Sequence, residues 1–212
     1  MIDEQQFWRI VTPVFLHVGL IHFLANAYCQ LDLGAFFERE WGSFNWIIIY
    51  IVSGMGAVAT SSISNPDNIA VCSSGALMGL FGAKIAQTIG WTCFELRGNL
   101  FFESVHLDQL GSVMCNCAMV SLLCFLTYID FASHMGGFTA GFLLGMPLFA
   151  YPIENCCIRF LWAFVGLLGI VGGSAVLAYL LYFEVDADED LSDACNYFRN
   201  LYPEDYVCEC QW

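Results

Sequence analysis

Ser74 opens a run in which small residues recur, Ser73-Ser74-Gly75-Ala76-Leu77-Met78-Gly79-Leu80-Phe81-Gly82, and His134 opens another, Ser133-His134-Met135-Gly136-Gly137-Phe138-Thr139-Ala140-Gly141. Both runs lie inside long apolar stretches. A serine hydroxyl within hydrogen-bond reach of an imidazole is what nucleophilic acyl transfer requires. A polar or ionisable group at membrane depth is costly and is usually paired or functional. Each residue therefore needs an explanation, and each supplies the other's. The chemistry this pair points to is carried out within a bilayer.

The glycines say how the two residues could meet. Gly75, Gly79 and Gly82 follow the serine, and Gly137, Gly141 and Gly145 recur every four residues after the histidine. Small-xxx-small spacing lets helix backbones approach closely. A third string, Phe15-Leu16-His17-Val18-Gly19-Leu20-Ile21-His22-Phe23-Leu24-Ala25-Asn26, sets His22 and Asn26 four apart, on one helix face. An imidazole and an amide there could donate to a carbonyl oxygen as it becomes negative. Each residue also has a plainer explanation: Ser74 as a helix cap, His134 as a satisfied interface residue. Metal binding by His17, His22 and His134 with Asp32 or Asp130 is a further alternative, weakened because none of these histidines belongs to a His-x-x-x-His or Glu-x-x-His pair.

The elements that must position these groups are membrane helices. The chain is 58% hydrophobic and 12% charged, against roughly 25% charge in an average soluble domain. Six stretches approach the ~20 apolar residues that cross a hydrocarbon core: about 18–37, 44–62, 71–91, 110–128, 131–150 and 158–183. The fold class expected is all-α, a polytopic membrane helix bundle. No N-terminal signal peptide is recognisable, and there is no internal repeat. Loops after the first, third and fifth spans carry Arg39, Arg97 and Arg159, whereas Arg9 and Arg199 fall on the other side and Lys84 lies within a span. The positive-inside rule makes the first set cytosolic. The tail beyond Phe183 holds nine of the 20 acidic residues and much of the net charge of −14. It reads as a solvated, lumenal end. Of 11 cysteines, most lie in or beside spans as small apolar fillers. Cys195, Cys208 and Cys210 are in the tail, where one disulfide is plausible; zinc is disfavoured because a structural site wants four ligands.

From Trp8 to about Gly145 the chain resembles the rhomboid intramembrane serine proteases. The matching elements are Trp8-Arg9, the His17 to Asn26 string, Glu38 followed by Gly42, the serine string, and Asp130 with His134-Met135-Gly136-Gly137. The resemblance implies Ser74 as nucleophile and His134 as general base, without a third carboxylate. His22, Asn26 and the Ser74 backbone N–H would then stabilise the oxyanion. Trp8 and Arg9 would belong to a membrane-dipping loop, and Glu38 would be structural. Implied partners are membrane lipid and single-pass transmembrane protein substrates, with no nucleic acid, no cofactor and no metal. The layout expected is a surface segment at 1–17, core helices at 18–151, an added helix at 152–183 and the tail at 184–212. The last span and the tail cysteines look like the eukaryotic secretory-pathway branch, which suggests the Golgi or plasma membrane.

Three features depart from the family pattern. Cys72 stands where the serine motif usually begins with glycine, and Met78 where an aromatic residue often lies against the histidine ring. The sequence starts inside the loop that follows the family's first helix, so that helix is expected to be missing by truncation or in a shortened variant. These departures keep open a catalytically inactive rhomboid-like protein that binds membrane clients and governs their trafficking. A transporter or channel is a third reading, weakened by scarce intramembrane charge and no matched pair of broken helices.

Overall fold

Short side chains decide how the helices of this protein meet. In a computed structural model of the 212-residue chain, the described residues are 7–17, 19–66, 70–94, 108–109, 111–115 and 130–185. Most of the predicted 110–128 span, the Arg97 loop and the tail from 186 lie outside them. After two short 3-10 turns, Phe7–Ile10 and Thr12–Phe15, come α1 (Leu20–Cys29), a π-helical turn (Gln30–Gly34) and α2 (Ala35–Trp41). Then follow α3 (Ser43–Ser64), α4 (Ser73–Phe94), α5 (Phe131–Leu148) and α6 (Cys156–Phe183). The protein is an all-α membrane helix bundle.

The predicted 18–37 span is interrupted rather than uniform. It changes to π geometry midway and runs on to Trp41. Its stop is glycine-dependent: Gly42 has φ of +79°, a region that residues with a Cβ rarely adopt. Ser43 Oγ donates to Glu38 Oε1 at 2.6 Å, and Gly42 N–H donates to the Glu38 carbonyl at 2.9 Å. Glu38 and Gly42 thus build one corner. Helix α5 starts on an Asp130 N-cap and carries Pro147 in its last turn. Asn155 caps α6 by accepting from the N–H groups of Cys157 and Ile158.

Helix α5 lies against both α3 and α4. A Cβ on Gly137 would collide with the Gly75 carbonyl, one on Gly141 with the Gly79 carbonyl, and one on Gly145 would stand 2.8 Å from Ala83 Cα. On the α3 side, a Cβ on Gly56 would meet Ala140 Cβ at 2.8 Å, and one on Gly136 would strike Thr60. Backbone therefore packs on backbone along three turns. Helix α6 differs. It is long and strongly apolar (mean hydropathy 2.2), yet only 6% of its best spanning stretch is buried, against 44% for α3. Its Gly166 and Gly169 seat on Leu143, Met146 and Pro147, whereas Gly172 and Gly173 face open space. A helix apolar all round with little protein cover faces lipid.

This packing distinguishes glycines that look alike in sequence. Gly141→Val is expected to cost about 3 kcal/mol or more, since overpacking against backbone has no side chain to yield. Gly172→Ala is expected to be neutral or to stabilise by up to about 1 kcal/mol. Thermal unfolding in detergent micelles compares them.

Candidate active site

The serine end of α4 is built from its first turn upward. Cys72 N–H donates to the Pro13 carbonyl at 2.9 Å, which pins the Thr12–Phe15 turn over the helix start. Val14 anchors that turn, fully buried against Gly54. The Cys72 carbonyl accepts from Ala76 N–H at 3.1 Å. The N–H groups of Ser73, Ser74 and Gly75 therefore precede the helical ladder, at the positive end of the α4 dipole.

Ser74 and His134 are 3% and 2% exposed, and Ser74 Oγ lies 2.7 Å from His134 Nε2. A neutral imidazole protonated at Nδ1 accepts this hydroxyl through Nε2. Glycine explains the contact. Ser74 is followed by Gly75, whose absent Cβ would stand 2.8 Å from Ser133 Oγ, and His134 is followed one turn on by Gly137, seated on Gly75. The two side chains meet because Gly75 and Gly137, beside them on the two helices, carry none. Cys72, immediately before α4, and Met78, one turn after Ser74, are the two residue departures from the family pattern, and both are buried.

His22 and Asn26 come from α1. Asn26 is 7% exposed, and its Nδ2 donates to the His22 carbonyl at 3.0 Å. His22 is within electrostatic reach of His134, and the His17 ring meets the His22 ring edge to face at 5.5 Å. Asn26 and His17 line a cavity of about 450 Å³ that reaches Trp46, Tyr50 and Ser73. Tyr50 Oη and Ser73 Oγ stand 3.4 Å apart at its polar end. Direct contact joins Ser74 to His134. Asn26 borders the cavity beside Ser73, with its amide nitrogen engaged by its own helix.

A second polar cluster lies ten residues, or about 15 Å, further along α4. Lys84 Nζ donates to Glu40 Oε1 at 2.6 Å, to Glu40 Oε2 at 2.8 Å and to Gln87 Oε1 at 3.0 Å. Trp41 Nε1 donates to the same Gln87 oxygen at 3.1 Å. The ammonium side chain is 1% exposed, and this cluster ties α2 to α4. Around it Trp41 stacks on Phe37 and meets Phe149. The sequence places Lys84 in a span and names no partner for it. The available signal is that an intramembrane lysine demands an acid, and Glu40 lies one helix away. Lys84→Met is expected to destabilise by about 3 kcal/mol, because it leaves the Glu40 carboxylate uncompensated. Adding Glu40→Met should recover most of that loss, as read from unfolding midpoints of the single and double variants.

These features define a polytopic, all-helical membrane protein with a buried serine–imidazole pair at one end of two glycine-packed helices. A family model for the Rhomboid domain matches residues 4–151, and the chain belongs to the rhomboid family. It is similar to RHOMBOID-like protein 1 of Arabidopsis thaliana, 33% identical over 153 residues that cover 72% of this chain and 37% of that protein. RHOMBOID-like protein 7 of the same plant is 34% identical, with 72% and 46% covered. Rhomboid-like protease 1 of Toxoplasma gondii is 26% identical over 191 residues, covering 88% of this chain and 62% of that protein. The chain spans less than half the length of these two plant relatives.

Proposed function

We propose that this protein is an intramembrane serine endopeptidase that cleaves transmembrane segments of single-pass proteins. The observation that carries the reading is the 2.7 Å contact between Ser74 Oγ and His134 Nε2, buried at a helix N-terminus. Ser74 Oγ attacks the scissile carbonyl carbon while His134 Nε2 takes its proton. The oxygen that becomes negative lies at the positive end of α4, where the Ser74 N–H is a donor and His22 and Asn26 add to it. Collapse breaks the C–N bond as His134 returns the proton to the leaving amine. Water then adds to the acyl-enzyme by the same route and frees Ser74. The substrate must unwind locally, because a peptide bond within a helix is shielded and hydrogen-bonded.

The pair lies at the opposite end of the bundle from Arg39 and Arg159, which sit beside the Trp41–Phe149 contact. With those arginines cytosolic, Ser74 faces the lumen or exterior of a Golgi or plasma membrane.

Ser74→Ala is expected to abolish cleavage and fluorophosphonate labelling while membrane insertion persists, since one hydroxyl is lost and the glycine packing remains. Retained cleavage would exclude Ser74, and a wild-type protein that never labels would favour the inactive, client-binding reading. Asn26→Ala should slow turnover by up to roughly 10²- to 10³-fold with a smaller effect on unfolding; an equal collapse of stability would make Asn26 structural. Glycosylation acceptors placed beyond Phe183 should be modified and acceptors within 95–108 should not. The reverse pattern would put the pair on the cytosolic side.

A further inference from the structure

Asn65 ends α3, and its side chain reaches across to the histidine helix. Its Nδ2 donates to Asp130 Oδ1 at 2.9 Å. The same oxygen accepts the Ala132 N–H at 3.0 Å and so caps α5. The Asp130 carbonyl accepts from His134 N–H at 3.4 Å, which places His134 in the turn that this cap begins. A cap by itself needs only a side-chain oxygen; the bond to Asn65 adds an attachment to a separate helix.

That helix is already fixed to α5 two residues beyond the histidine. Gly136 packs on Thr60, just over one turn before Asn65, so closely that a Cβ would collide, and Thr60 Oγ1 donates to the Gly56 carbonyl at 2.8 Å. His134 is therefore bracketed along α3, by Gly136–Thr60 on one side and Asp130–Asn65 on the other. Asp130 Oδ2 is buried without a hydrogen-bond partner among the described residues, and the carboxylate is within electrostatic reach of His134.

We infer that Asn65 and Asp130 form a positioning pair for His134. Their hydrogen bond sets the angle at which the first turn of α5 presents the imidazole to Ser74. The inference rests on the Ser74–His134 reading above. Both residues act through His134. Removing Asn65 leaves the glycine contacts that hold α3 to α5, so the bundle stays folded while the imidazole loses one of its two anchors. Small misplacements of a reacting group lower rate far more than they lower stability.

The test uses the full chain in liposomes with a fluorophosphonate probe, following the maximal labelling rate of Ser74, the half-saturating probe concentration and the unfolding midpoint. Asn65→Ala should lower the maximal rate about tenfold or more, with the half-saturating concentration unchanged and the midpoint shifted by only a few degrees. Asn65→Asp, which sets two carboxylates face to face, should be at least as slow. The exchange Asn65→Asp with Asp130→Asn should return the rate to within about threefold of wild type. The amide now on α5 can donate to the carboxylate now on α3, while the amide oxygen still caps Ala132. Wild-type labelling by Asn65→Ala would overturn the inference and leave the Ser74–His134 reading standing. So would a rate that falls only in step with the midpoint and is not restored by the exchange. Failure of the wild-type chain to label at Ser74 would overturn both.

Discussion

The separation between α4 and α5 is smaller than any side chain would permit, and the rest of the bundle follows from it. In lipid there is no hydrophobic drive between helices, so association depends on close packing and on polar groups finding partners. Gly75, Gly79, Gly137 and Gly141 supply the packing by bringing carbonyls of one helix against α-carbons of the other. At that distance a serine hydroxyl and an imidazole, each reaching only a short way from its backbone, come into hydrogen-bond contact. A wider spacing would leave both polar groups buried and unpaired.

Helix α4 carries polarity at two levels, and the two solutions differ. At its N-terminus the polar atoms are short, lie beside a cavity and are joined to α3 and α5 by single hydrogen bonds. Lower down, Lys84 is saturated by two carboxylate oxygens and an amide oxygen, inside a ring of aromatic side chains. The lower cluster fixes α2 against α4, while the upper one leaves room for a ligand. The cluster that holds helices together and the serine–imidazole pair thus lie at separate levels of one helix.

Much of this was legible in the residues. The four-residue glycine period after His134 announced a close-packed face, and the structure turns that face toward Gly75 and Gly79. The apolar stretches located α3, α4, α5 and α6 to within a few residues, because membrane spans have a required length. The aspect that escaped was pairing between distant polar groups. Nothing in the spacing of Asn65 and Asp130, or of Glu40 and Lys84, says that they touch, since such contacts depend on helix rotation and tilt. Glu38 was readable as structural, yet its role in the Gly42 corner depends on a backbone angle that composition does not encode. The change of geometry inside the first span was likewise hidden, because hydropathy carries no signal for a switch from α to π winding.

That π-helical turn, Gln30–Gly34, joins two segments with different attachments: α2 is fastened through Glu40 and Trp41, whereas α1 presents Leu20, Ile21, Leu24 and Tyr28 outward. A wide turn accommodates one more residue than an α-helical turn of the same rise, and one residue is worth about 100° of azimuth. The phase of α1 is accordingly set at this joint and not at its own packing face. A single deletion among these five residues would be absorbed by closing the wide turn to ordinary α-helical winding, leaving His22 and Asn26 near their present azimuth while α2 stayed in register with Lys84, whereas a residue added with no second wide turn to take it up would swing them by about 100°.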